Sequence, residues 1–185
     1  MSTPRALVLL AEGAEEMETT IIVDVLRRGE VEVVLAGLDG PEPVRCSRGV
    51  RLVPDAALAD VTGDFDVVVL PGGKGGADRL AASKAVGALL RAQIEADRMI
   101  GAICAAPLAL AAHEVLAGRR MTCHPSVHDI VGAHAALAAG PVVEDGKLVT
   151  SQGPGTALPF ALALVARLRG AEVAERVRKP MMIPD

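Results

Sequence analysis

The sequence has almost no aromatic side chains. It contains two phenylalanines and neither tyrosine nor tryptophan in 185 residues, so any core must be aliphatic. Proteins that bind single-stranded nucleic acid stack bases on aromatic side chains, and nucleic-acid affinity in general depends on positive charge. This chain has a formal net charge of −4. The composition therefore argues against a nucleic-acid partner.

Long apolar runs and paired cysteines are also missing. No apolar run is long enough to cross a bilayer, and the first residues lack the apolar length and cleavage pattern of a signal peptide. The three cysteines are an odd number without a C-x-x-C pair, which favours free thiols in a reducing compartment. We expect a cytoplasmic protein with no membrane partner. The cysteines are Cys46, Cys104 and Cys123.

What is present is a regular alternation of apolar strands and amphipathic helices. A strand over residues 5–11, a helix over 15–28 and a strand over 30–38 form a strand–helix–strand unit, which is typical of parallel sheets. The length suits one domain, residues 1–185, with a sizeable core. The pattern predicts an α/β sandwich with a mainly parallel central sheet.

Later elements are predicted with the same rules. Residues 56–61 are expected to form a brief helical turn, residues 120–123 a short strand and residues 126–134 a helix. An Asp-Gly turn at 145–146 indicates a hairpin, and helices are expected over 157–169 and 171–178.

The chemistry is centred on the stretch from residue 99 to residue 110. An apolar strand ends at Cys104 and a helix-forming run, 105–116, begins at once, which is the arrangement of a nucleophile elbow. A helix N-terminus favours a thiolate, so Cys104 is expected to have the lowest thiol pKa of the three. The alternative is a buried structural cysteine, since free cysteine is among the most buried residue types.

Other strands end in suggestive residues as well. Glu18 follows the first strand, Gly72 and Gly73 follow the strand at 66–70, and His124 follows the strand at 120–123. The carboxyl ends of parallel strands share one edge, so an acid, an imidazole and glycine amides are expected to meet Cys104 there. The alternatives are a solvated first-turn glutamate for Glu18, a plain turn for the glycine pair and a turn histidine for His124.

The sequence contains two further groups of residues that could bind a ligand. Arg48 could anchor a carboxylate or a phosphate, or it could be the solvated tip of a hairpin. Cys123, His124 and His128 have no fourth ligand at suitable spacing, so no metal is expected.

Six segments in this order resemble the ThiJ/PfpI superfamily, and within it the protein deglycases. The resemblance covers nearly the whole chain, which makes it far more specific than any one motif. The segments are ALVL at 6–9, GAEEME at 13–18, VRCSR at 44–48, DVVVLPGG at 66–73, AICAAP at 102–107 and SQGPGT at 151–156.

This resemblance implies a flavodoxin-like three-layer sandwich, a homodimer and a nucleophilic cysteine that needs no cofactor. Matched by motif, Cys104 is the nucleophile and Glu18 its acid partner, and His124 matches the histidine near that cysteine. The residues that match the family's oxyanion-binding backbone are Gly72, Gly73 and Ala105.

The function that it implies is a deglycase or glyoxalase. The substrates would be methylglyoxal, glyoxal or their early adducts on glycated macromolecules, including glycated nucleic acid, with lactate or glycolate released and a role in oxidative stress. We expect Glu18 to be protonated at rest, because a neutral carboxyl can donate a hydrogen bond to a thiolate. The alternatives are a redox-sensing, chaperone-like protein whose cysteine becomes a sulfinate, and a cysteine peptidase.

The chain departs from the family pattern at two positions. Gln152 stands where close relatives usually have arginine, which removes any salt bridge that the arginine makes. Cys123 replaces the usual threonine and adds a second thiol next to the candidate site.

Overall fold

The structure is a computed structural model that describes residues 3–115 and 118–183. Its strands are β1 (Arg5–Leu10), β2 (Glu32–Gly37), β3 (Val44–Arg45), β4 (Arg51–Leu52), β5 (Ala56–Ala57), β6 (Val67–Leu70), β7 (Met99–Ile103), β8 (Arg120–Met121), β9 (Ala136–Leu137), β10 (Val142–Asp145) and β11 (Leu148–Ser151). Its α-helices are α1 (Glu16–Arg28), α2 (Lys74–Ala82), α3 (Lys84–Glu95), α4 (Pro107–Ala112), α5 (His128–Gly132), α6 (Ala157–Arg169) and α7 (Ala171–Arg178).

Seven strands form the central sheet, in the order β10-β11-β7-β6-β1-β2-β5. All of its neighbouring pairs are parallel except β10 and β11, which form the antiparallel hairpin predicted around the Asp-Gly turn. Helices α1, α6 and α7 pack together in one layer, and α2, α3 and α4 in another. The predicted fold class, a flavodoxin-like sandwich with a mainly parallel sheet, is confirmed.

The core is aliphatic, as the composition requires. All four residues of β6 and all five of β7 are buried, because a parallel strand covered by helices on both faces has no solvent side. The only two aromatic side chains, Phe65 and Phe160, are also buried.

Three predicted elements differ from the structure. Residues 56 and 57 pair with β2 as the edge strand β5, and a 3-10 turn, Leu58–Asp60, follows them. The helix after Cys104 begins at Pro107 and ends at Ala112, and the end predicted for it, residue 116, lies outside the described residues. The predicted helix over 126–134 is a 3-10 turn followed by the short helix α5.

The strand before His124 also differs in its location. β8 pairs in parallel with β9 in a separate two-stranded sheet, so it does not belong to the central sheet. The argument that placed His124 at the shared edge of one parallel sheet was therefore wrong. Across the residues that the structure describes, no helix is long and apolar enough to span a membrane.

Candidate active site

Cys104 lies directly after β7, near the middle of the central sheet. Its backbone N–H donates to the Ser151 carbonyl at 3.0 Å, and its own carbonyl accepts from the His124 N–H at 2.8 Å. These bonds hold Cys104 at φ +63°, in the left-handed region that non-glycine residues rarely occupy. Such strain persists only where the surrounding structure enforces it, and it is typical of functional turns.

Two backbone amides face the Cys104 sulfur. The N–H groups of Gly73 and Ala105 donate toward it, and both interactions favour the thiolate. The side chain is 9 % exposed, so the sulfur is nearly enclosed. An oxygen anion that forms on a carbon bound to this sulfur would meet the same amides.

Glu18 enters the site from the first turn of α1, where it has no exposed surface. Its Oε2 accepts from the Gly72 N–H at 2.7 Å, while Oε1 is buried without a well-aligned hydrogen-bond partner among the described residues. Burial therefore dominates and raises the pKa of Glu18 to about 7, although the Gly72 amide opposes the shift.

The Cys104 thiol and the Glu18 carboxyl interact with each other. Their interaction lowers the pKa of the acid and raises that of the thiol, although Oε1 makes no hydrogen bond of standard geometry with any described residue. Burial, followed by the negative charge of Glu18, raises the pKa of Cys104 to about 12.

The low thiol pKa expected for Cys104 is not found, because burial raises the pKa of all three thiols. It raises the pKa of Cys46 and of Cys123 to about 11. Helix α4 begins three residues after Cys104, at Pro107, and the ionised Glu18 outweighs the amides that favour the thiolate. The thiol pKa therefore depends on whether Glu18 carries a proton.

The glycine pair after β6 is required by its neighbours. A Cβ at Gly72 would lie 2.5 Å from the Cβ of Cys104 and 2.8 Å from Oε2 of Glu18, so only glycine fits between the two functional groups. Gly73 has φ +82°, and a Cβ there would collide with the backbone of Gly13. The Gly72 N–H is occupied by Glu18, so only Gly73 and Ala105 of the three predicted donors face the sulfur.

His124 and Arg48 are placed differently from these groups. The backbone of His124 reaches Cys104, but its ring pairs with the Ser126 hydroxyl, with 2.8 Å between Nδ1 and Oγ. Arg48 is exposed on the β3–β4 hairpin, and its guanidinium donates to the Ser47 carbonyl at 3.3 Å. The described residues contain no cluster of three side chains able to hold a metal ion.

One important residue was missed in the sequence. Glu16 is only 7 % exposed, and it accepts hydrogen bonds from the Ser47 hydroxyl and from the N–H groups of Arg48 and Val50. It therefore fixes the β3–β4 hairpin to the start of α1. Its position in an acidic first turn suggested only an interaction with the helix dipole, and no local pattern indicated the contact with residues more than 30 positions away.

At the two positions that depart from the family pattern, the local structure remains regular. The Gln152 N–H donates to the Thr156 hydroxyl at 3.2 Å, and Cys123 is fully buried.

The fold and the site define a class of protein: an α/β sandwich in which a buried cysteine on a strained strand-to-helix turn faces a buried glutamate. The model of the DJ-1/PfpI family matches residues 4–167. The chain belongs to this family, and the resemblance drawn from its motifs is confirmed.

Named relatives extend along the whole chain. "Parkinson disease protein 7 homolog" of Danio rerio is 48 % identical over 189 residues and covers 100 % of both chains. "Glutathione-independent glyoxalase DJR-1.2" of Caenorhabditis elegans is 43 % identical over 182 residues and covers 96 % of both. The crystal structure of Drosophila melanogaster DJ-1beta superposes with a TM-score of 0.97 at 46 % identity, covering 100 % of both chains.

Proposed function

We propose that this protein is a cofactor-independent glyoxalase and deglycase that converts methylglyoxal, glyoxal or their early adducts to lactate or glycolate. The observation that carries the proposal is the Cys104–Glu18 pair beneath the amides of Gly73 and Ala105. The name of the C. elegans relative supports the same reaction class.

In the first step the Cys104 sulfur attacks the aldehyde carbon of methylglyoxal. A C–S bond forms, the carbonyl π bond opens, and the amides of Gly73 and Ala105 stabilise the new oxyanion. The thiol proton passes to Glu18, whose pKa of about 7 suits a group that takes and returns a proton near neutral pH.

In the second step Glu18 returns the thiol proton to the oxyanion, which gives a neutral hemithioacetal, and the resulting carboxylate then moves a proton between the two carbons of the adduct. This proton leaves the carbon bonded to sulfur and returns to the former ketone carbon, while the hydroxyl proton passes to the former ketone oxygen, so the hemithioacetal becomes the thioester of lactate. Water then cleaves the C–S bond, which releases lactate and restores the thiol. The sum is methylglyoxal plus water giving lactate, with no net oxidation or reduction.

The coupled pair sets the pH dependence of this reaction. Below the pKa of about 7 both groups are protonated, whereas above it the pair holds one proton, which must be on Glu18 when the sulfur attacks. This differs from our expectation of a Glu18 that is fully protonated at rest. We expect kcat/KM to rise with pH through about 7.

The experiment is lactate production from methylglyoxal by metal-free wild type and by Cys104→Ser, followed from pH 5 to 9. Cys123→Thr is the matched control, because it changes another buried cysteine to the residue usual in the family. We expect the loss of lactate production in Cys104→Ser alone.

Two outcomes would reject the proposal. Equal lactate production by Cys104→Ser would exclude the nucleophile. A wild type that makes no lactate, but whose Cys104 is converted to a sulfinate by mild peroxide, would favour the redox-sensing alternative. The peptidase alternative has less support, because the His124 ring pairs with Ser126.

A further inference from the structure

A groove of about 670 Å³ opens beside the candidate active site. Its walls are the loop after β1, the β3–β4 hairpin and the first turns of α2. The hairpin is fixed to the loop, because the Gly13 N–H donates to the Arg45 carbonyl at 2.9 Å and the Ser47 N–H donates to the Ala14 carbonyl at 2.8 Å. The groove is therefore a fixed feature of the fold.

Its lining is strongly cationic. Arg45, Arg48, Lys74 and Arg79 line it, against the single carboxylate of Glu12. We call it the cationic groove. In a protein with a net charge of −4, this local excess of positive charge stands out, and it arises from separate segments of the chain.

Much of this charge is available to a ligand. Lys74 pairs with Asp78 at 2.5 Å, and Arg79 approaches Glu12 at 3.9 Å, which is a long contact between exposed groups. The guanidinium groups of Arg45 and Arg48 have no acidic partner within the part of the chain that the structure describes. Exposed ion pairs contribute little, so a multivalent anion can displace them. Arginine binds phosphate through two parallel N–H donors.

The cationic groove begins where the candidate oxyanion site ends. Gly73 donates its N–H toward the Cys104 sulfur, and Gly75, two residues later, lines the groove. Because α2 begins at Lys74, Gly73 and Gly75 are closer together than the roughly 7 Å that two residues of extended chain span. A substrate held at Cys104 could therefore reach the groove with a short arm, whereas free methylglyoxal has no such arm and no charge.

We infer that the cationic groove binds the phosphate group of the substrate, so that the preferred class is the adduct of a dicarbonyl with a small phosphate-bearing amine. The inference rests on the proposed function for its chemistry, but the binding part is independent of turnover. In such an adduct, an aminocarbinol, the amine nitrogen is bonded to the former aldehyde carbon. The C–S bond forms as this C–N bond breaks, and the nitrogen takes the thiol proton through Glu18, which releases the free amine and leaves the hemithioacetal described above. Proton transfer between the carbons and hydrolysis by water then give lactate.

The binding experiment uses O-phosphoethanolamine, with ethanolamine and β-alanine as matched ligands that lack the phosphate. Calorimetric titration of the wild type at constant ionic strength is expected to show binding of O-phosphoethanolamine and at least tenfold weaker binding of the other two. Tighter binding of β-alanine than of O-phosphoethanolamine would identify a carboxylate site instead and overturn the inference.

Variants test where the ligand lies. The double variant Arg45→Gln/Arg79→Gln and the single variant Lys74→Gln remove charge from exposed positions of the groove, and Arg91→Gln removes an exposed arginine on α3. We expect at least a tenfold loss of affinity in the double variant, a smaller loss in Lys74→Gln and wild-type affinity in Arg91→Gln. Thermal unfolding verifies that each variant is folded. If the double variant is not folded, the affinity of Lys74→Gln alone decides whether the ligand lies in the groove.

Turnover of methylglyoxal mixed with each amine then connects the groove to catalysis. The ratio of kcat/KM with O-phosphoethanolamine to that with ethanolamine should exceed one in the wild type and fall toward one in the double variant. If O-phosphoethanolamine binds but no lactate is produced, the proposed function is rejected and the inference that the groove binds phosphate stands. If lactate is produced without binding of O-phosphoethanolamine, or if Arg91→Gln loses as much affinity as the double variant, the inference about the groove is overturned.

Discussion

Glu16 and Glu18 are two residues apart on the same helical turn, both are buried, and their pKa values move in opposite directions. Burial alone would raise both. For Glu16 this effect is outweighed by hydrogen bonds from its own backbone, the Ser47 hydroxyl, and the Arg48 and Val50 amides, so the pKa is lowered. Glu18 has one strong donor, Gly72, and its pKa rises to about 7.

The number of donors, rather than burial, therefore decides what a buried carboxylate does here. A carboxylate with several donors stays ionised and holds structure together. One with a single strong donor keeps a proton affinity near neutral pH, which suits proton transfer. Nearby positions in one sequence motif are thus suited to different tasks, position 16 to structure and position 18 to proton transfer.

The largest effect is expected from the pair of variants Glu18→Gln and Glu16→Gln. Glutamine at position 18 can still accept from Gly72 and donate to a thiolate, but it cannot carry a proton between carbons. We expect lactate production from methylglyoxal to fall at least ~100-fold in Glu18→Gln, the lower end for lost acid–base catalysis. Glu16→Gln should stay close to wild type.

Wild-type turnover by Glu18→Gln would reduce Glu18 to a structural donor. The thiolate absorbance of both variants against pH completes the test. Glu18→Gln should ionise Cys104 at a lower pH than wild type, because the negative charge that raises the thiol pKa is gone.

The second largest effect is expected on the way the free energy of unfolding depends on pH. The pKa of Glu18 is raised on folding from 4.5 to about 7, so its contribution is fully present below pH 4.5 and is lost as the pH rises through 7. The displacement corresponds to about 3 kcal/mol in the free energy of unfolding. Urea unfolding at pH 5 and pH 8 should show that Glu18→Gln gains stability relative to wild type at the higher pH.

The contribution of Glu16 to the free energy of unfolding should change with pH in the opposite direction. Its pKa is lowered on folding, so its contribution is present above pH 4.5 and is lost as the pH falls through its folded value. A Glu16→Gln protein that loses stability in acid as steeply as wild type would contradict the assignment of Glu16 as a structural carboxylate.

A third, smaller effect is expected from Glu16→Ala. The substitution leaves the Ser47 hydroxyl and the amides of Arg48 and Val50 without their acceptor. We expect a loss of about 2 kcal/mol in the free energy of unfolding, since each unsatisfied polar group that stays buried is costly. Asp24→Ala, which removes an exposed carboxylate from the same helix, is the matched control, and urea denaturation measures both. An equal loss in the two variants would show that the hairpin does not depend on Glu16.

The smallest expected effect is on assembly. We propose that the protein is a homodimer that pairs through the apolar side chains next to the Glu16 contact: Met17, Val50 and Val53 are 55 %, 50 % and 66 % exposed. Val53→Asp should weaken the dimer about tenfold, the equivalent of ~1.4 kcal/mol. Sedimentation at micromolar concentration measures it, with Ile130→Asp as the control; a monomeric wild type would refute the proposal.

The sequence predicted most where local rules and packing agree. The bounds of α6 and α7 were predicted to the residue, because Gly170 at φ +94° separates two amphipathic runs. Strand β5 was mistaken for a helical turn, since two alanines carry no strand pattern and only pairing with β2 defines them.

The site was predicted in its parts, but its energetics were not. A strand-to-helix turn and a glycine pair can be recognised from local sequence, so the positions of Cys104 and Gly72 could be anticipated. The pKa values depend on which donors fill the space around Glu18, and the cationic groove depends on segments that meet only in the fold. Neither leaves a local pattern.

The strained backbone at Cys104 has a consequence for how this protein can change. A residue at φ +63° is disfavoured by roughly 1–3 kcal/mol unless it is glycine. Replacement of the cysteine by glycine would therefore relax the turn and stabilise the folded chain, at the cost of the sulfur that the proposed function requires. Selection for stability alone would therefore favour glycine at this position.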